Sequence, residues 1–372
     1  MIKEKIMSQI IINGKGALHK IEEVLRELGS KKVLLVCDGA FPYLPVKDFF
    51  DNMSVPVVKF NEFTVNPLYE DVCKGVDLFN REGCDVIIAV GGGSSIDVAK
   101  CIKLFAKMDP SENYLKQEFK ENGIKLIALP TTAGTGSEST RFAVIYYKGE
   151  KQSVADLSII PDYAVLESSV LLTLPEYQKK CTFLDALCQA IESWWSVNST
   201  VESHEYSKFA IKGLLDNLDD YLNKPSESVL EAVMTAANFA GRAINVTQTT
   251  AAHAMSYKLT SLYHLPHGHS VAICLPGVWR YMINNIEKCI DPRGSAYLAG
   301  VFEDIAKALG AESPVAAVEK FAGIIKGLGI DAPVIPEKDI EVLGASVNPV
   351  RLKNNPVALT EEVLKQMYRE LV

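Results

Sequence analysis

The chain has 372 residues, 48 % of them hydrophobic and 23 % charged, which excludes a disordered or fibrous protein and allows two domains of ordinary size. Its formal net charge of −8 disfavours nucleic acid and anionic membrane as partners, since both require a basic face. No segment reaches the roughly 18 uninterrupted apolar residues of a membrane helix, the N-terminal MIKEKIMSQI lacks the apolar run of a signal peptide, and the eight cysteines show no CxxC pair, so a cytoplasmic protein with reduced thiols is expected.

Strand-like runs come first: VLLVCD at 33–38, VPVVKF at 55–60, DVIIAV at 85–90, KLIALP at 125–130 and AVIYY at 143–147. Helical patterns separate the first four, and such alternation predicts βαβ units and a parallel sheet with helices on its faces. The predicted fold class is therefore an α/β dinucleotide-binding type of domain over 1–170. After DVIIAV, Gly91, Gly92 and Gly93 of GGGSSIDVAK open a helix. Bare N–H groups at the positive end of a helix dipole suit a pyrophosphate, although a tight strand-to-helix turn without a ligand reads the same way. Beyond Leu174-Pro175 the texture changes to long helix-favouring stretches such as SESVLEAVMTAANFAGRAINVTQTTAAHAMSYKLTSLY. An all-α domain is expected over 171–372.

Four of the six histidines, His253, His264, His267 and His269, crowd into one stretch that follows a helical segment carrying Asp185. Neutral imidazoles with one carboxylate form a ligand set that first-row divalent metals prefer; solvated or core-packed histidines are the plainer alternative. Asp185 and Gln189 in FLDALCQAIESWW are four apart and share one helix face. His253 and Tyr257 repeat that spacing, and His267, after Pro266, comes from a loop or the next helix start. One ion between helices is within reach of Asp185, His253 and His267.

Taken together, GGGSSIDVAK (91–100), LPTTAGTGSEST (129–140), DALCQAIES (185–193) and HAMSYKLTSLYHLPHGHSV (253–271) resemble the iron-containing (group III) alcohol dehydrogenase family over nearly the whole chain. The resemblance implies an N-terminal dinucleotide-binding domain and a C-terminal helical domain, the architecture shared with dehydroquinate synthase-like folds. It also implies a nicotinamide cofactor, Fe²⁺ or Zn²⁺, and a homodimer. Asp185, His253 and His267 match three metal ligands of the family, which double as the catalytic residues. Gln189 stands where a histidine ligand is usual, and an amide oxygen binds these metals more weakly. Tyr257 stands where many relatives carry a histidine outside the ligand set that assists proton transfer; His264 and His269 are possible substitutes or plain loop histidines. For the cofactor, the resemblance places Gly92, Gly93 and Ser94 at the pyrophosphate with Asp97 nearby, and Thr131, Thr132 and Ser137 along the nicotinamide half. Asp38 stands where a carboxylate accepts from ribose hydroxyls and repels a 2′-phosphate, favouring NAD(H) over NADP(H), unless it is an ordinary turn aspartate before Gly39.

Within the family, SWWSVNSTVES (193–203) with the histidine stretch is similar to the phosphonoacetaldehyde reductase, or hydroxyethylphosphonate dehydrogenase, branch. That implies NAD(P)H-linked reduction of phosphonoacetaldehyde to 2-hydroxyethylphosphonate, a reaction of phosphonate metabolism. A phosphonate calls for charge-assisted donors, and Lys258, Arg141 and Arg242 are the cations in or beside the motifs, though each alone reads equally as a surface charge. The other readings are a general short-chain alcohol or diol dehydrogenase, a dehydroquinate synthase-like cyclase, and a metal-weakened non-catalytic homologue, for which Gln189 and Tyr257 speak.

Overall fold

A computed structural model describes residues 9–371; residues 1–8, on which most of the signal-peptide reading rests, lie outside the described residues. Eight strands are present among them: β1 (Ile10–Asn13), β2 (Val33–Cys37), β3 (Val57–Phe60), β4 (Val86–Gly91), β5 (Lys125–Pro130), β6 (Phe142–Tyr147), β7 (Glu150–Ala155) and β8 (Tyr163–Leu166). Six of them form one parallel sheet in the order β1-β8-β5-β4-β2-β3. β2 and β4 are buried at every residue, as continuous aliphatic runs are when helices cover both sheet faces. The helices of this part are α1 (Lys20–Leu28), α2 (Lys47–Asp51), α3 (Tyr69–Glu82) and α4 (Gly93–Phe105). α1 and α3 each end on a left-handed glycine, Gly29 (φ 65°) and Gly83 (φ 66°), which turns the chain into β2 and β4 without a Cβ penalty.

The predicted strand AVIYY does not join this sheet. β6 pairs antiparallel with β7, from Phe142 opposite Ala155 to Tyr147 opposite Glu150. The turn between them is Lys148-Gly149, both at positive φ (53° and 79°), the two-residue hairpin whose twist matches its strands.

The second part is helical: α5 (Glu176–Trp195), α6 (Val201–Asn223), α7 (Glu227–Thr247), α8 (Ala251–Tyr263), α9 (His267–Asn284), α10 (Ser295–Ala308), α11 (Pro314–Gly327), α12 (Glu337–Ser346), α13 (Pro349–Leu352) and α14 (Glu361–Arg369). The helix-favouring stretch 226–263 is two helices, broken where Gln248 takes a left-handed conformation (φ 58°). The chain divides into two units, Met1–Leu174 with Pro225–Thr235, and Pro175–Lys224 with Ala236–Val372. The sequence reading puts a single boundary between 170 and 171; the return of Pro225–Thr235 to the first unit, where Asn13 Nδ2 donates to Thr235 Oγ1 (2.9 Å), has no counterpart in it. Among the described residues, no helix is long and apolar enough to cross a membrane, and all eight cysteines are free.

Candidate functional site

In the helical unit, α5 carries Asp185, α8 carries His253, and His267 is the first residue of α9. One ligand atom from each lies within 4.8 Å of the others. His253 Nε2 is 3.4 Å and His267 Nε2 3.9 Å from Asp185 Oδ1, and the two imidazoles stand 5.4 Å apart at 66°. Close approach of α9 to α5 depends on Gly268, where a Cβ would stand 1.9 Å from the Cys181 carbonyl oxygen and 2.8 Å from Asp185 Cβ.

The far sides of both imidazoles are backed. Glu192, fully buried on α5, sets its Oε2 against Nδ1 of His253. Its other oxygen accepts from Thr250 Oγ1 (2.6 Å) and the Ala252 N–H (3.0 Å), so one carboxylate orients the ring and satisfies free N–H donors at the start of α8. Trp195 Nε1 donates to Thr250 Oγ1 in turn (2.9 Å). On the other ring, Ser256 Oγ lies 3.4 Å from Nδ1 of His267 and donates to the His253 carbonyl (2.8 Å). This arrangement aims both Nε2 atoms at Asp185, as outer partners of metal-binding histidines do.

Electrostatics agree with a cation site. Burial acts against the charged form of His253, yet Glu192 and Asp185 outweigh it and push the imidazole up to about 9. Burial would raise the Asp185 carboxyl, but the charges of His267 and His253 and a hydrogen bond from Gln189 hold it below the usual range. Asp185 Oδ1 and His253 Nε2 are buried without a hydrogen bond; such orphans cost about 1–3 kcal/mol each, and a divalent cation would satisfy both. Gln189, one turn after Asp185, is also buried. Tyr257, one turn after His253, stacks on His267 with ring centroids 5.9 Å apart and planes 12° apart.

His264 and His269 stand apart from this cluster. His264 is the left-handed C-cap of α8 (φ 54°). His269 is held at both nitrogens, the Tyr177 hydroxyl against Nδ1 (2.8 Å) and the Asp331 carbonyl against Nε2 (2.9 Å). Lys258 is exposed, Arg242 lies over the Phe239 ring (4.9 Å), and Arg141, in the first unit, lies over Phe142 (4.7 Å).

In the α/β unit, Gly92 caps α4 and Gly93 and Ser94 are its first residues. A Cβ on Gly91 would stand 2.2 Å from Ser95 Oγ, and one on Gly93 3.1 Å from Thr135, so the loop is bare because its own neighbours fill the space. Thr132 Oγ1 is buried without a hydrogen-bond partner beside Gly92, as expected of a hydroxyl kept for a ligand at a helix N-terminus. Thr131 is buried and its N–H donates to the Gly91 carbonyl (3.0 Å). Asp38 accepts from the Ala40 N–H (2.9 Å) and from Ser95 Oγ (3.1 Å), which fixes it beside the glycine loop. Asp97 accepts from Ser137 Oγ (2.6 Å) and the Val144 N–H (2.9 Å), so these two residues bind each other. Beneath them the fully buried Lys100 donates to Ser137 Oγ (3.1 Å), Thr140 Oγ1 (3.0 Å) and the Phe142 carbonyl (2.7 Å).

Glu192, Ser256 and Lys100 are the residues that sequence reasoning passed over. Glu192 had a signal, since it lies seven residues after Asp185 on one helix face.

Comparison with known proteins agrees with this geometry. Residues 8–168 match the family description "Iron-containing alcohol dehydrogenase" and residues 180–372 match "Fe-containing alcohol dehydrogenase family, C-terminal". The chain is 32 % identical over 302 residues to phosphonoacetaldehyde reductase of Streptomyces viridochromogenes, covering 77 % of this chain and 76 % of that one. It is 29 % identical to NAD-dependent methanol dehydrogenase of Bacillus methanolicus over 96 % of each. Sulfoacetaldehyde reductase of Bifidobacterium kashiwanohense, solved in complex with NAD⁺, superposes with a TM-score of 0.87 at 25 % identity, covering 98 % of this chain and 96 % of that one. With both halves matched and the fold shared, the chain belongs to the iron-containing alcohol dehydrogenase family and is an oxidoreductase acting on small molecules.

Proposed function

We propose that the protein is a metal-dependent, NAD(P)H-linked reductase of a small anionic aldehyde, with phosphonoacetaldehyde as substrate and 2-hydroxyethylphosphonate as product. The balanced reaction is RCHO + NAD(P)H + H⁺ → RCH₂OH + NAD(P)⁺. The observation that carries the chemistry is the convergence of Asp185 Oδ1, His253 Nε2 and His267 Nε2, with Asp185 and His253 buried and His267 partly exposed. The substrate class is supported by similarity to the Streptomyces phosphonoacetaldehyde reductase and to a reductase of another two-carbon anionic aldehyde, the Bifidobacterium sulfoacetaldehyde enzyme.

Asp185, His253 and His267 hold the ion, with Gln189 as the fourth, weaker ligand. When bound, Fe²⁺ or Zn²⁺ supplies Lewis-acid polarisation of the aldehyde oxygen and the reduced nicotinamide supplies the hydride. Glu192 and Ser256 fix the two imidazoles so that their Nε2 atoms need not reorganise on binding. Burial raises the Tyr257 phenol, so at neutral pH it keeps its proton and is no base; the proton that completes the alcohol comes through solvent or a ribose hydroxyl. In the α/β unit, the amides of Gly92, Gly93 and Ser94 and the Thr132 hydroxyl receive the pyrophosphate. Thr131 lines the nicotinamide half, Asp97 and Ser137 brace that loop, and Asp38 accepts from the ribose hydroxyls, favouring NADH. The protein works as a cytoplasmic homodimer in this reading.

A second reading, a general short-chain alcohol dehydrogenase, is favoured by the match to the methanol dehydrogenase across both whole chains. NADH oxidation by metal-stripped protein reloaded with Fe²⁺ or Zn²⁺, offered phosphonoacetaldehyde, acetaldehyde or lactaldehyde, separates the two. Metal-dependent preference for the phosphonate supports the first reading, equal turnover of uncharged aldehydes the second, and Asp185→Asn with undiminished metal content and turnover would overturn both.

A further inference from the structure

A substrate with a phosphonate or sulfonate at its far end calls for a fixed cation to receive that group. Lys258 is exposed to solvent and Arg242 is stacked on Phe239. Arg351 is placed differently. It sits on α13, which packs against α8, and its Nη1 donates to Oε1 of Gln248 (3.2 Å). Gln248 is the left-handed residue two before the Thr250 cap of α8, a strained position of the kind that clusters at functional sites. The same amide oxygen accepts from Asn354 Nδ2 (3.2 Å), which also donates to the Thr249 carbonyl (3.2 Å). Asn198, in the SWWSVNSTVES stretch, donates to Asn354 Oδ1 (3.0 Å). Arg351 is thus tied to the turn from which the His253 helix starts. The α8 helix that starts from this turn carries both His253 and Tyr257, and Tyr257 lies flat on His267.

We propose that Arg351 is the residue that selects the substrate, its guanidinium receiving the tetrahedral oxyanion, phosphonate or sulfonate, of a two-carbon aldehyde whose carbonyl end lies toward His267. The planar fork suits two oxygens of such a group, and Gln248 holds it in orientation. This rests on the anionic-aldehyde reading above.

The test is kcat/KM for phosphonoacetaldehyde, sulfoacetaldehyde and propanal in wild type, Arg351→Gln and Arg351→Lys, with binding of the unreactive phosphonoacetate followed by calorimetry. The ratio of phosphonoacetaldehyde to propanal is expected to fall roughly 10- to 150-fold in Arg351→Gln, the range for a hydrogen bond to a charged group, mostly through KM. Arg351→Lys should recover part of it, and phosphonoacetate affinity should fall in parallel. A larger fall for one oxyanion identifies it as the natural head group. Should wild type prefer the anionic aldehydes and Arg351→Gln keep that preference, this inference is overturned while the substrate reading stands. Wild type that turns over propanal equally well overturns the substrate reading, and this inference with it. Should Arg351→Gln fail to fold, the wild-type to Arg351→Lys comparison decides: an unchanged ratio and phosphonoacetate affinity overturn it.

Discussion

The Glu192 carboxylate faces Nδ1 of His253, and this single contact leaves Nε2 as the ring nitrogen available to a metal. A carboxylate behind a histidine fixes its tautomer and raises its basicity. Glu192→Gln keeps the shape and removes the charge, and metal affinity measured by chelator competition should drop about 10- to 100-fold. Glu192→Ala should also destabilise the helical unit by about 1–3 kcal/mol, because His253 Nδ1, the Thr250 hydroxyl and the Ala252 N–H lose their buried acceptor. Unchanged metal affinity in Glu192→Gln would remove the orienting role.

Gln189 is buried one turn from Asp185. Replacing it with histidine restores an imidazole at that position, and Zn²⁺ or Fe²⁺ should bind tighter by about 1.4 kcal/mol or more, a factor of ten. Equal affinity in the same competition assay would mean that position 189 does not reach the ion.

Gly268 is the point at which α9 approaches the backbone of α5. Gly268→Ala places a methyl group 1.9 Å from a carbonyl oxygen, so the helices must part and carry His267 away from Asp185. A stability loss of about 1–3 kcal/mol with reduced metal content is expected, from denaturant unfolding and metal analysis of the purified variant.

Lys100 supplies the pH dependence. Burial lowers its pKa from 10.5 to about 8, against the raising effect of Asp97. Between those two values the unfolded chain binds more protons than the folded one, so this group makes stability rise with pH across that window. Its stabilising contribution is present above 10.5 and lost as pH falls through about 8. The slope of unfolding free energy from pH 8 to pH 10.5 should therefore flatten in Lys100→Met, and an identical slope would show that the buried amine stays charged throughout.

The parallel sheet was legible because β2 and β4 are short unbroken aliphatic runs, as strands buried on both faces are, set between helical patterns. IIIN and YAVL, which become β1 and β8, are four residues each and carry too little pattern to separate from loop. AVIYY was legible as a strand but not as a hairpin, because its partner EKQSVA is polar. Asp185 and Gln189 were visible from helical spacing, as were His253 and Tyr257. Glu192 shares that helix face seven residues after Asp185, but its role was hidden, since a glutamate on a helix reads as a solvated charge until its burial is known. Arg351 lay further out of reach, because its link to Gln248 joins two segments that no local period connects.

The return of Pro225–Thr235 to the α/β unit bears on how this protein can be handled. The helical unit is interrupted in sequence, so neither unit is one uninterrupted stretch of polypeptide. A gene cut between residues 168 and 180, in the gap between the two family matches, would strand Pro225–Thr235 on the wrong fragment, leaving the first piece without a segment it packs against and the second with an unsupported one. Co-expressed halves should recover solubility only together, and ribosomal synthesis must pass residue 235 before the first unit has all its parts.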